Sequence, residues 1–99
     1  DWQGARAVNN LFPDMTYISI LTPSIDILRE RLIKRGKDSK DVIAQRLAAA
    51  REDLNHAHES DYVIINEDFS VALTDLQSVV RALRLTAARQ LKLHAQLIS

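Results

Sequence analysis

The sequence predicts an α/β fold of parallel strands joined by crossover helices, on three observations. Two short runs rich in β-branched and aromatic residues, 16–21 and 62–66, have the length and composition of strands. Two stretches of helical apolar spacing lie between them. Strand, helix, helix, strand is a crossover, and a crossover between neighbouring strands sets them parallel and right-handed.

The elements follow in order. A helical stretch from about Trp2 to Phe12 is closed by the turn pair Pro13-Asp14. The first strand comes next, and both strands are expected in the core. Thr22-Pro23-Ser24 breaks the chain and offers Ser24 as a helix cap; Ile25, Leu28 and Leu32 keep one face, and Gly36 supplies the left-handed closing residue. A second helix is expected from about Ser39 to His58, with Ile43, Leu47, Ala50 and Leu54 as its apolar stripe. The last and longest helix is expected to start near Phe69-Ser70. It should bury Leu73, Leu76, Val80, Leu83 and Ala87 and run past Leu91 before fraying toward Ser99. No internal repeat or low-complexity segment interrupts this order.

Composition limits the class. The 99 residues fit one unit, 1–99, and 46% hydrophobic with 26% charged residues is the balance of a globular protein rather than a disordered or membrane one. At this length only about two-thirds of the unfolded surface can be buried. Parallel sheets usually hold more than two strands, covered on both faces. Together with a first residue that is Asp1 rather than Met, this leads us to expect a piece of a longer parent chain. The absence of Cys removes disulfides and thiol chemistry and suits a reducing compartment, so a cytoplasmic location is expected. Apolar runs such as Tyr62-Val63-Ile64-Ile65 fall far short of the roughly 20 residues that span a bilayer.

Net charge is zero, which argues against bulk binding to nucleic acid, and no membrane partner is expected either. The charges are nevertheless segregated. Arg29, Arg31, Lys34, Arg35, Lys37, Lys40 and Arg46 face only Glu30, Asp38 and Asp41 in one stretch, whereas residues 52–75 hold seven acids and no Lys or Arg. Arg31 and Arg35 stand one helical turn apart on one face, and Arg46 adds a third guanidinium from the next helix. A planar, always-charged fork suits paired hydrogen bonds to phosphate oxygens, and the same residues also make an ordinary solvated helix face. Asn66 ends a strand, where its amide can meet a nucleobase edge or the backbone of its own turn. Ligands in such folds sit beyond the C-terminal strand ends, which places Asp1, Thr22 and Asn66 near one site. Asp1 is a candidate carboxylate for a base, a metal-bound water or an arginine. His56 and His58, two apart on the expected helix, point to different faces and are rejected as a metal pair, and no metal ligands are assigned. Ser24 and Ser39 are read as caps rather than nucleophiles, since no base is placed beside either.

Four segments together resemble guanylate kinases of the bacterial type. They are Asp1-Trp2-Gln3-Gly4-Ala5, Leu32-Ile33-Lys34-Arg35-Gly36-Lys37-Asp38-Ser39, Val42-Ile43-Ala44-Gln45-Arg46-Leu47 and Asp61-Tyr62-Val63-Ile64-Ile65-Asn66-Glu67-Asp68-Phe69. Their order and separations match, as do Leu73-Thr74-Asp75-Leu76 and Arg81-Ala82-Leu83-Arg84-Leu85, so the resemblance covers nearly the whole chain. It implies a partial P-loop kinase fold with a helical lid at roughly residues 31–58, and transfer of the terminal phosphoryl group of ATP to GMP with Mg2+. By the same resemblance Arg35 and Arg46 are catalytic lid arginines over the transferring phosphates. Arg31 is a lid arginine on the ATP side, Asn66 lies near the adenine, and Asp1 is the second acid of the family's Asp-x-Asp-x-Gln-Gly segment, near GMP.

The departures carry equal weight. Only Gly4 and Gly36 are present, so there is no Gly-x-x-x-x-Gly-Lys-Ser/Thr loop to cradle ATP phosphates. The GMP-binding insertion and the first acid of the Asp-x-Asp pair are absent as well. The expectation is the C-terminal part of a guanylate kinase, inactive alone and holding no tightly bound Mg2+. The alternative is a non-catalytic guanylate-kinase-like module that binds a protein partner, a role that gives no reason to keep Arg31, Arg35, Arg46 and Asn66 together. A third expectation is homo-oligomerisation through a C-terminal stripe of Leu85, Leu93 and Leu97.

Overall fold

Every α-helix among the described residues begins with a side-chain oxygen accepting from the backbone N–H three residues on. In the computed structural model, which describes residues 1–97, the order is α1 (Trp2–Leu11), β1 (Ile18–Leu21), α2 (Ile25–Arg35), α3 (Lys40–Asn55), β2 (Tyr62–Ile65), α4 (Phe69–Arg84) and α5 (Ala87–Leu93). The five caps are Asp1, Ser24, Ser39, Asp68 and Thr86. Each satisfies one of the orphan donors of a helix start and contributes about 1 kcal/mol. Gly36 ends α2 at φ 68° and ψ 19°, with its N–H donating to Leu32 and Ile33 carbonyls. An L side chain there would be strained, which explains the glycine.

The chain divides into two compact units, Asp1–Glu67 and the residues from Asp68 on. In the first, β1 and β2 pair in parallel with Ile18 opposite Tyr62 and Leu21 opposite Ile65, so α2 and α3 form the expected crossover. Leu21, Leu32, Leu47 and Ile64 are its buried apolar side chains. Burying each stabilises by roughly 1.5–3 kcal/mol. The strands are shorter than expected. Tyr17 exchanges hydrogen bonds with Asp61, its N–H donating to the Asp61 carboxylate at 2.8 Å and its carbonyl accepting from the Asp61 N–H at 2.8 Å. A side chain thus takes the strand partner's place at the Tyr17 N–H, while the carbonyl also accepts from Tyr62 N–H at 3.2 Å, and regular pairing starts at Ile18.

The expectation that both strands are core strands needs correction. Ile20, Tyr62, Val63 and Ile65 are exposed, while Ser19 is buried and shares a hydrogen bond with the Ser60 hydroxyl. A two-stranded sheet has two open edges and too little cover for both faces. The second helix also stops earlier than expected, at Asn55. His56 closes it, and a 3-10 turn at Ala57–Glu59 leads into β2.

In the second unit, the single long C-terminal helix is two helices. α4 ends at Arg84, Leu85 leaves helical geometry, and the Thr86 hydroxyl caps α5 by accepting from Arg89 N–H at 3.3 Å. α4 spans 16 residues, the same as α3, so it is not the longest. Its covered face agrees with expectation at Leu76 and Leu83 and departs from it elsewhere. Ala72 is buried and Leu76, Val79 and Leu83 are half-buried, whereas Leu73, Val80 and Ala87 are exposed. Positions 72, 76, 79 and 83 keep i, i+4, i+7 spacing; Leu76 and Leu83 lie on the covered face as expected, and the face is turned part of the way toward Ala72 and Val79. Leu85, Leu93 and Leu97 are exposed, and the expected fraying at Ser99 lies outside the described residues. Among the described residues no helix is long and apolar enough to cross a membrane.

Candidate functional site

The last two turns of α2 carry Arg31 and Arg35, four residues apart and so on one face. Each is held by a different neighbour. Arg31 spreads its fork over two successive carbonyls after β2, with Nη1 donating to Asn66 O at 2.9 Å and Nη2 to Glu67 O at 3.0 Å. Arg35 donates from Nη2 to Asp38 Oδ2 at 3.0 Å, and Arg46, from the second turn of α3, brings Nε within 3.3 Å of the same oxygen. One carboxylate therefore joins guanidinium groups from two helices. Three arginines against one aspartate leave a net charge of 3 − 1 = +2.

Arg31, Arg35 and Asn66 line a cleft of about 360 Å³ together with Thr22 at the end of β1. Its position follows from the parallel register, which brings both strand ends to one side, where Asn66 N–H donates to Leu21 O at 2.7 Å. The Asn66 side-chain amide has no hydrogen-bond partner among the described residues, and the following turn is capped by Asp68 instead. The amide is therefore available to a ligand. Asp1 does not join this group. Its Oδ1 accepts from Gly4 N–H at 2.8 Å, and no hydrogen bond or ion pair links it to the arginines or Asn66 among the described residues.

Asp38 is the residue the sequence reasoning passed over. Its spacing from Arg35, three residues across the Gly36 turn, is a visible signal. Its pairing with Arg46 depends on how α2 meets α3.

A second polar cluster surrounds His56. The premise of a shared helix for His56 and His58 fails, because both lie beyond α3, with ring centroids 6.5 Å apart. Trp2 stacks on His56 at 3.5 Å and 7°, and the Arg6 guanidinium lies 4.8 Å from the Trp2 ring. His56 Nδ1–H donates to Glu59, and Arg6 Nε donates to Glu59 Oε1 at 2.8 Å. These two hydrogen bonds, that of His56 first, hold the Glu59 carboxyl below its ordinary value. Among the described residues no group of three or more His, Cys, Asp and Glu is placed to hold a metal ion.

A sequence model of the guanylate kinase family matches residues 1–83, which is most of the chain and includes every site residue above. The chain belongs to the guanylate kinase family. Curated relatives agree. A guanylate kinase of Thiobacillus denitrificans is 53% identical over 97 residues, covering 98% of this chain and 46% of the relative. One of Xanthomonas euvesicatoria is 52% identical over 98 residues, covering 99% and 48%. One of Bordetella pertussis is 50% identical over all 99 residues, covering 46% of the relative. The chain thus spans about half the length of the curated guanylate kinases it matches. The partial P-loop kinase fold expected from the sequence accords with this membership and with the parallel pair and its crossover helices.

Proposed function

We propose that the chain supplies the arginine lid and the ATP-side cleft of a cytoplasmic guanylate kinase that converts ATP and GMP to ADP and GDP. The observation that carries this reading is the convergence of Arg35 and Arg46, from two helices, on a single carboxylate oxygen. In the reaction an oxygen of the GMP phosphate attacks the terminal phosphorus of ATP, the bond from that phosphorus to the bridging oxygen breaks, and ADP departs. Charge spreads over the transferring group as it moves, so fixed positive groups lower the barrier more than covalent chemistry would. Arg35 and Arg46 are assigned that catalytic role. Arg31 orders the segment after β2, Asn66 offers its free amide to the adenine, and Asp1 is assigned to the GMP side. Mg2+ is expected to accompany ATP. Among the described residues no group of three or more His, Cys, Asp and Glu gathers to hold it, so no step is routed through the ion.

The 99 residues contain no glycine-rich phosphate loop, and the chain alone is expected to show no turnover in a coupled ATP/GMP assay. Turnover above a no-protein control, by chain free of host enzyme, would refute that. The positive test is a chimera in which this chain replaces the matching half of the Thiobacillus guanylate kinase. It should turn over, and Arg46→Ala should lower its kcat by roughly 10²–10³. An unchanged kcat in that variant would remove Arg46 from the mechanism.

A further inference from the structure

Resting on the phosphate-ligand reading of Arg35 and Arg46, we infer that Asp38 is a positioning residue of that site: its carboxylate sets the two guanidinium groups side by side, ready for an anion. A single oxygen, Oδ2, holds both, at 3.0 Å from Arg35 and 3.3 Å from Arg46. The Asp38 side chain is 12% exposed, whereas those of Arg35 and Arg46 are 47% and 53% exposed. The acid is therefore seated within the fold while the cations keep open surface. Each guanidinium carries five N–H donors; Arg35 commits one to Asp38 and Arg46 pairs with the same oxygen by charge, so most of each fork stays available to phosphate oxygens.

Two opposing effects decide what Asp38 does. Its negative charge repels a phosphate and competes for the same donors. Against this, two neighbouring guanidinium groups repel each other, and a long arginine side chain loses rotamer freedom when a ligand must order it. The shielded position and the spare donors favour the second effect, so neutralising Asp38 is expected to weaken anion binding rather than strengthen it. The anion class is a polyphosphate, as borne by a nucleoside triphosphate.

The test uses the 99-residue chain with inorganic tripolyphosphate, followed by calorimetry and by the NMR signal of the Arg46 Nε–H. Asp38→Asn should weaken binding by roughly tenfold, the scale of one charge-assisted contact, and Asp38→Glu should recover most of it. In the absence of anion the Arg46 Nε–H signal should be distinct in the parent chain and in Asp38→Glu, and move to the position of a free arginine in Asp38→Asn. Circular dichroism establishes folding, and Asp38→Ser stands in if Asp38→Asn unfolds. Equal or tighter binding by Asp38→Asn, with Arg46→Ala still weakened, overturns the positioning role alone. Binding that ignores Arg35→Ala and Arg46→Ala, or no binding by the parent chain, overturns the phosphate reading. The Arg46 Nε–H signal then still decides whether Asp38 orders the pair.

Discussion

Glu59 shows how one residue can tie distant segments together. It accepts from His56 at the end of α3 and from Arg6 in α1, and His56 in turn lies under Trp2. Both hydrogen bonds favour the ionised carboxyl, so its pKa lies below the ordinary 4.5. The stabilisation is fully present above that ordinary value and is lost as pH falls through the lower folded value. The emission of Trp2, the only tryptophan, should therefore report an acid transition below pH 4.5. In Glu59→Gln that component should be missing. An identical acid profile in parent and variant would remove Glu59 as its source. None of this cluster was legible in the sequence beyond the presence of two histidines near acids. Arg6 and Glu59 are 53 residues apart, and only folding joins them. The arginine site was partly legible, since Arg31 and Arg35 share a helix face by spacing alone. Which carbonyls and which carboxylate they would meet was not, because those partners come from other elements.

At the level of elements, the boundary most open to test is the break between α4 and α5. Residues 69–93 contain no Gly or Pro, so the helical pattern reads straight through, and the lone cap signal, Thr86, is a residue that a helix interior also tolerates. The structure uses Thr86 as a cap. Seven residues are too few for a stable helix on propensity alone, so α5 should depend on that cap. Thr86→Ala is expected to cost about 1 kcal/mol locally and to shift the backbone NMR signals of Ala87–Leu93 toward coil, leaving α4 unchanged. Unaltered signals in α5 would mean that the hydroxyl does not cap it. The earlier helices were read more accurately because their punctuation is chemically distinctive. Ser24 and Gly36 bracket α2 at the residues foreseen, and Ser39 opens α3. The end of α3 was misplaced by three residues, since neither Gly nor Pro marks the stop between Asn55 and Asp61.

For the molecule as a whole, the small number of buried side chains sets the margin. In the first unit Leu21, Leu32, Leu47 and Ile64 are the buried hydrophobics, and Leu47 is 5% exposed. Replacing it by Ala should cost about 2–5 kcal/mol, comparable with much of the stability of a chain this size. Urea denaturation followed by circular dichroism is expected to show a correspondingly early midpoint, or no folded baseline. A loss under about 1 kcal/mol would place Leu47 outside the working core. Exposed Ile20, Val63 and Ile65 are consistent with so slight a core, because two strands cannot be covered on both faces by the crossover helices they have.

The sequence by itself determined the α/β class, the parallel crossover, four of the helix starts, the left-handed closure at Gly36 and the guanylate kinase resemblance. All of these rest on local spacing, on cap and turn chemistry, or on the order of short segments, which survive without three-dimensional information. The tertiary structure alone decided that one shielded carboxylate stands between Arg35 and Arg46, that Arg31 braces the chain after β2, and that Asp1 caps its own helix instead of meeting the arginines. Hydrogen bonds and charge pairs act over about 3 Å, and which groups come that close across separate elements is settled only when the helices pack.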